Sequence, residues 1–157
     1  MTYSNNSMRQ LVNTTLKQIN LFSDDAVNLV LGTIAQESEY GKYRRQIGGG
    51  PALGICQMEP NTFNDIVNNF LSYRKSLSAM ILDTCILTEF NSEDLETNDR
   101  LAICMCRVQY LRAKEPIPIT LEGCAHLYKL RYNTPLGAAT EQEFIDNYNR
   151  YVINDKA

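Results

Sequence analysis

Glu37 is the first residue of this chain whose setting suggests chemistry. It stands in Ala35-Gln36-Glu37-Ser38, three residues after Ile34 on the apolar side of a helical stretch. Spacing of three or four keeps side chains on one side of a helix, so this carboxyl borders the apolar stripe. A carboxyl at such an edge loses water, its pKa rises, and it can hold a proton near neutrality. A general acid that protonates a glycosidic oxygen needs that property. From position alone, an ordinary surface glutamate is the expectation, with the general acid as its alternative. Glu39 falls about 200° further round and is expected to face solvent.

Downstream lies QIGGGPALGICQMEP, residues Gln46 to Pro60, with three consecutive glycines between two helical segments. A phosphate-cradling loop would continue into G-K-[ST], whereas this one continues into Gly54-Ile55-Cys56, and no parallel strand precedes it. Nucleotide binding is therefore not expected. Small residues there would instead let a ligand approach the backbone closely. His126, the single histidine, has no serine or cysteine at a spacing that makes a catalytic pair, so a structural or solvent-exposed role is expected.

The five cysteines, Cys56, Cys85, Cys104, Cys106 and Cys124, include no C-x-x-C pair. On a helix Cys104 and Cys106 would point about 200° apart. With one histidine, a zinc site would need scattered ligands, so no metal and no cofactor is expected. Buried reduced thiols acting as small apolar fillers fit better, and they favour folding in a reducing compartment.

The elements that must position these groups are nearly all helical. Leu11, Val12, Leu16 and Ile19 lie at helical spacing within 6–20. Ser23 reads as an N-cap, with Asp24 and Asp25 complementing the dipole of a helix that runs to about Tyr40. That helix carries Val27, Val30, Leu31 and Ile34 on one face, and Gly41 is its expected stop. Pro60 suits a first turn and starts the next helix. Residues 99–113 form another, with Leu101, Cys104, Val108 and Leu111 on a common stripe. Glu115-Pro116-Ile117-Pro118 is a break, after which 120–131 resumes helix. Thr140-Glu141-Gln142-Glu143 is a capping box that opens a last helix bearing Phe144, Ile145, Tyr148, Tyr151 and Val152. Residues 91–97 read as a polar connection, and a minor β-hairpin fits near 47–55. The whole, 1–157, reads as one mostly α domain without internal repeats.

At 157 residues one core suffices, and the net charge of −3 lacks the basic stripe a duplex binder shows, so nucleic acid is not an expected partner. The first residues show no basic cap followed by an apolar run, so no signal peptide is expected. No stretch approaches the ~20 apolar residues that cross a bilayer, so no transmembrane segment is expected.

Three ordered motifs carry a resemblance. Glu37-Ser38, then Gly54-Ile55-Cys56-Gln57-Met58-Glu59-Pro60 about twenty residues on, then Tyr132-Asn133, resemble the Glu-Ser, G-[LI]-x-Q-x-x-P and Tyr-Asn elements of lysozyme-like lytic transglycosylases. The stretch 131–152 looks like bacteriophage-encoded members. The resemblance implies a lysozyme-like helical fold and cleavage of the bond between N-acetylmuramic acid and N-acetylglucosamine in peptidoglycan, with a 1,6-anhydro product. It implies Glu37 as the single catalytic acid/base. Gln57 would bind the sugar or its acetamido group, with Gly54 and Ile55 shaping the floor. Tyr132 would orient Glu37 or the sugar, and Asn133 would support that turn.

Departures from the pattern are Gly48, where many members have a serine, Cys56 before the glutamine, and Thr134-Pro135-Leu136-Gly137 after the Tyr-Asn pair. No tryptophan is present, which leaves Tyr40, Tyr43 and Tyr128 as sugar-stacking candidates. Arg44 and Arg45 are candidates for contact with acidic peptide stems, with a solvated charge pair as the alternative. The implied partners are glycan strands and other virion proteins, reached after synthesis in the host cytoplasm by a route other than a signal peptide. Two rivals follow: a muramidase in which Asp65, Asp83 or Asp99 activates water opposite Glu37, and a virion structural protein that keeps the fold without turnover.

Overall fold

The computed structural model describes residues 3–154; residues 1–2 and 155–157 of the expected single domain lie outside the described residues. The fold is mostly α-helical, as the periodicity predicts, with no β-strand among the described residues. Its α-helices are α1 (Asn5–Gln18), α2 (Asp24–Ser38), α3 (Pro60–Asn69), α4 (Lys75–Cys85), α5 (Asp99–Arg112), α6 (Leu121–Leu127) and α7 (Glu141–Asn147). Helices α6 and α7 each widen at their C-terminal ends into a π-helical turn, Tyr128–Asn133 and Tyr148–Ile153.

Local chemistry sets most boundaries. Ser4, Ser23, Asn98, Thr120 and Thr140 each accept a backbone N–H from the first turn of the helix that follows. Pro60 occupies the first turn of α3, where its missing N–H costs nothing. The stretch after Pro60 is two helices separated by a 3₁₀ turn, Leu71–Tyr73. The polar connection at 91–97 is also ordered as a 3₁₀ turn, Ser92–Glu96, anchored by the fully buried Leu95.

Helices α2 and α5 form the centre. α2 packs on α1, α5, α6 and α7, and α5 packs on α1, α2, α3 and α4. The expected stripes on both are wider than the sequence periodicity suggested. In α2 burial extends over Ala26, Val27, Leu29 through Ala35 and Ser38, because neighbours approach it from several sides. Gly32 permits the closest approach: a Cβ there would overlap the Phe144 ring of α7. A buried hydrogen bond of 2.8 Å between Thr33 Oγ1 and Tyr110 Oη joins the two central helices.

In place of a β-hairpin, the segment after α2 makes two isolated antiparallel bridges, Arg45 with Leu53 and Leu53 with Met58. The Gln46 N–H donates to the Ala52 carbonyl (3.1 Å), and Gln46 Oε1 accepts the Ala52 N–H (3.0 Å), closing the glycine-rich turn at its base. No helix among the described residues is long and apolar enough to cross a membrane.

Candidate active site

A cleft of about 570 Å³ opens beside the C-terminal end of α2, and Glu37 lines it. The helix stops there because Glu39, Tyr40 and Gly41 all adopt positive φ, two residues earlier than Gly41 alone would dictate. Ser38 stabilises this turn. Its hydroxyl accepts the Gly41 N–H (2.8 Å) and donates to the Ile55 carbonyl (2.6 Å), tying the helix end to the far loop. Glu39, the left-handed residue that caps the helix, turns outward as expected and pairs with Lys42 at 3.5 Å.

Glu37 is not an ordinary surface glutamate. Burial pushes its carboxyl up to about 7, opposed by one hydrogen bond, which Tyr128 donates to Oε2. The Tyr128 hydroxyl is itself held far above its usual range by burial and by the adjacent carboxyl, so it remains a donor. A column of aromatic rings fixes it. Tyr110 stacks on Tyr132 at 5.6 Å, Tyr132 on Tyr128 at 6.0 Å, and Tyr128 tilts against Phe144 at 5.0 Å. Tyr128 and Tyr132 both belong to the π-helical turn after α6, and such turns often mark functional sites because they re-aim side chains. Gln36, beside the acid, is held from the other side by Asn147 of α7, whose Nδ2 donates to its Oε1 (2.7 Å).

The cleft gathers Gln57, Tyr132 and Asn133 around Glu37, together with Tyr43, Gln46 and Ile47. Gln57 has positive φ, and its Nε2 donates to the Gly54 carbonyl at 2.9 Å. Asn133 accepts from Lys129 Nζ (2.9 Å), and the same ammonium donates to the Gly137 carbonyl (2.7 Å), so the turn after the Tyr-Asn pair folds back on itself.

Several expectations are corrected. Gly54 and Ile55 do not floor the cleft: Ile55 is fully buried, and Gly54 presses against the Leu95 carbonyl, which a Cβ would overlap. Tyr132 does not hydrogen-bond Glu37; its hydroxyl donates to the Cys56 carbonyl (2.6 Å), and Tyr128, one helical turn earlier, supplies the bond to the acid. Of the stacking candidates, Tyr40 is buried and Tyr128 is taken by Glu37, which leaves Tyr43 on the cleft wall. Arg44 is committed to Asp99 through two hydrogen bonds of 2.5 and 2.9 Å. Arg45 is a solvated partner of Glu96 at 2.8 Å. His126 is exposed and faces Glu141 at 3.2 Å.

The carboxylates suggested for a water-activating role lie elsewhere. Asp99 is held by Arg44 and Tyr3, Asp65 by Arg112 and Asn69 in a neighbouring groove, and Asp83 lines a separate surface depression beside Arg100. Among the described residues Glu59, the residue before the first turn of α3, is the other carboxylate lining the cleft; no spacing signal in the sequence sets it opposite Glu37. Gln109 of α5 also lines it, with its Nε2 donating to the Arg131 carbonyl (3.2 Å). Among the described residues no three histidine, cysteine, aspartate or glutamate side chains gather as metal ligands.

Chemically, the arrangement offers one carboxyl of raised pKa beside a neutral phenol in a cleft lined by amides and tyrosines. No family model, no curated protein and no solved structure matches this chain.

Proposed function

We propose that the chain is a peptidoglycan lytic transglycosylase, with Glu37 as its single acid/base. The observation that carries this reading is the Glu37 carboxyl, raised to about 7 by burial and facing a cleft that also holds Gln57, Tyr132 and Asn133. Gln57, Tyr132 and Asn133 are also residues of the motifs that carry the resemblance. A carboxyl with this pKa is about half protonated at neutral pH, so both the acid and its conjugate base are accessible within one turnover.

The first step transfers the Glu37 proton to the glycosidic oxygen between N-acetylmuramic acid and N-acetylglucosamine, and the bond from C1 to that oxygen breaks. Because Tyr128 occupies Oε2, Oε1 is the oxygen left to carry the transferable proton. The muramic 6-hydroxyl then attacks C1 and returns its proton to the Glu37 carboxylate. A 1,6-anhydro ring forms, no water is consumed, and the enzyme is regenerated. The nucleophile belongs to the substrate, so one carboxyl is sufficient. Gln57 and Tyr43 hold the sugar from the opposite wall, the first by hydrogen bonding and the second by ring contact.

Purified sacculi test this directly. Muropeptides ending in 1,6-anhydro sugars are expected from wild type, and Glu37→Gln should release almost none. Equal release by the two proteins would remove Glu37 from the chemistry, and no release by either would leave the structural-protein reading. A second reading, hydrolysis, is favoured by one observation: Glu59 lines the same cleft. New reducing ends in place of anhydro ends, abolished by Glu59→Gln, would establish it.

A further inference from the structure

The cysteines pair in space although no sequence motif pairs them. Cys104 and Cys106 project from opposite sides of α5, as their spacing predicts, and each meets a thiol from another segment. Cys106 neighbours Cys56 of the cleft loop, and the proximity of the two thiols adds to the rise in the Cys56 pKa. Cys104 meets Cys85, the last residue of α4, with the sulfur atoms 4.0 Å apart. Cys124 lies apart from these pairs and donates to the Pro118 carbonyl.

Of the two pairs, the second is placed for a reaction. Cys85 is buried at the end of its helix, and Ile86 after it has positive φ and a largely exposed side chain, so the sulfur lies one residue from a solvent-facing turn. The terminus is nonetheless in register with α5, because Asn98, the cap of α5, donates from Nδ2 to the Cys85 carbonyl at 3.0 Å. Contact with Cys104 and the nearby Arg100 guanidinium draw the Cys85 thiol below its ordinary pKa against the effect of burial, while Cys104 is pushed up. Cys85, at the helix end and beside Arg100, is therefore the thiol placed to attack as a thiolate. Cys56 is driven the other way by full burial, which leaves its pair inert by comparison.

We propose that Cys85 and Cys104 are an oxidation site, a dithiol that a disulfide oxidant converts to an intramolecular disulfide bolting α4 to α5. The Cys85 thiolate attacks one sulfur of the oxidant, forming a mixed disulfide and expelling the other sulfur as a thiolate. The Cys104 thiolate then attacks the Cys85 sulfur and the bond to the oxidant breaks. Two protons and two electrons leave the protein, and the oxidant disulfide is reduced to two thiols. The product closes a loop between positions 85 and 104 that includes the 3₁₀ turn carrying Leu95, against which Gly54 of the cleft loop rests. Crosslinking a loop of this length stabilises chiefly by restricting the unfolded chain. The inference needs no assumption about the substrate.

The test incubates the full chain with oxidised and reduced glutathione at graded ratios, blocks free thiols by alkylation, and maps the peptides by mass spectrometry. The expected product is lighter than the reduced protein by two hydrogen atoms, carries no glutathione, and joins the Cys85 and Cys104 peptides. Its Tm should rise by ~5–10 °C, and reductant should reverse the rise. Alkylation of both cysteines after full oxidation, a stable glutathione adduct at Cys85, or a Cys56–Cys106 bond formed first would each overturn the proposal. Cys104→Ala is a second arm: it should trap the mixed disulfide at Cys85, and failure to trap any adduct there while the protein remains folded would also overturn it.

Discussion

The two walls of the cleft are built on opposite principles. The Glu37 wall is a packed helix end whose side chains are fixed by other side chains: Phe144 against Tyr128, Tyr128 against Tyr132, and the Tyr128 hydroxyl on the acid. The facing wall, 44–58, is fixed mainly by backbone. Its shape comes from positive φ at Gly48, Gly49, Gly54 and Gln57 and from main-chain bonds such as Gly54 N–H to the Arg44 carbonyl at 2.7 Å. The difference separates two tasks. Tuning a proton requires a dry, rigid setting, which ring packing supplies. Holding a polar ligand requires donors and acceptors with room around them, which a tight loop supplies.

The largest effect should come from the acid itself. Glu37→Gln should lower turnover on sacculi at least ~1,000-fold while far-UV circular dichroism stays unchanged, since positioned proton transfer is worth orders of magnitude in rate. The same variant reports on desolvation. A carboxyl whose folded pKa is raised stabilises the fold below its unfolded value near 4.5, and that contribution is lost as pH climbs through about 7. Wild type should therefore lose on the order of 3 kcal/mol between pH 4.5 and pH 8 that Glu37→Gln retains, read by denaturant melts at both pH values. Parallel pH curves for the two proteins would mean the Glu37 wall is wetter than its packing indicates.

The next effect belongs to the backbone wall. Gly54→Ala should cost about 2–4 kcal/mol, because its Cβ meets the Leu95 carbonyl and its φ is +81°. Gly48→Ala has φ of +87° but open space around it, so only the conformational cost of about 1 kcal/mol is expected. Equal destabilisation in urea melts would erase the distinction between a packed and an open glycine on one loop.

Tyr128→Phe tests the ring column with a smaller change. Loss of its hydrogen bond removes the influence that lowers the Glu37 pKa, so the alkaline limb of the rate profile should move upward. Turnover should fall about tenfold from poorer orientation of the acid. Tyr132→Phe should leave the limb in place, because that hydroxyl holds the Cys56 carbonyl instead. Smallest is Gln57→Ala, for which a rise in KM of about fivefold with little change in kcat is expected from one lost hydrogen bond to a sugar. A fall in kcat alone would move Gln57 from the binding wall into the chemistry.

Much of this molecule was legible along the chain. The capping residues Ser23 and Thr140, the proline at the start of α3 and the apolar spacing of α1, α2 and α5 determined which segments are helical, because those signals act within a few residues. The same local logic put Glu37 beside an apolar stripe, Glu39 toward water, and Cys104 and Cys106 on opposite sides of one helix. Tertiary structure alone decided what those groups meet. Tyr128 is 91 residues from the acid it touches, and Cys85 is 19 from the sulfur it faces. The stripe on α2 could mark one buried side but not the neighbours that close the others. Periodicity reports the direction of a side chain from its own helix axis; desolvation, and with it the pKa of Glu37, depends on how many distant atoms arrive to displace water.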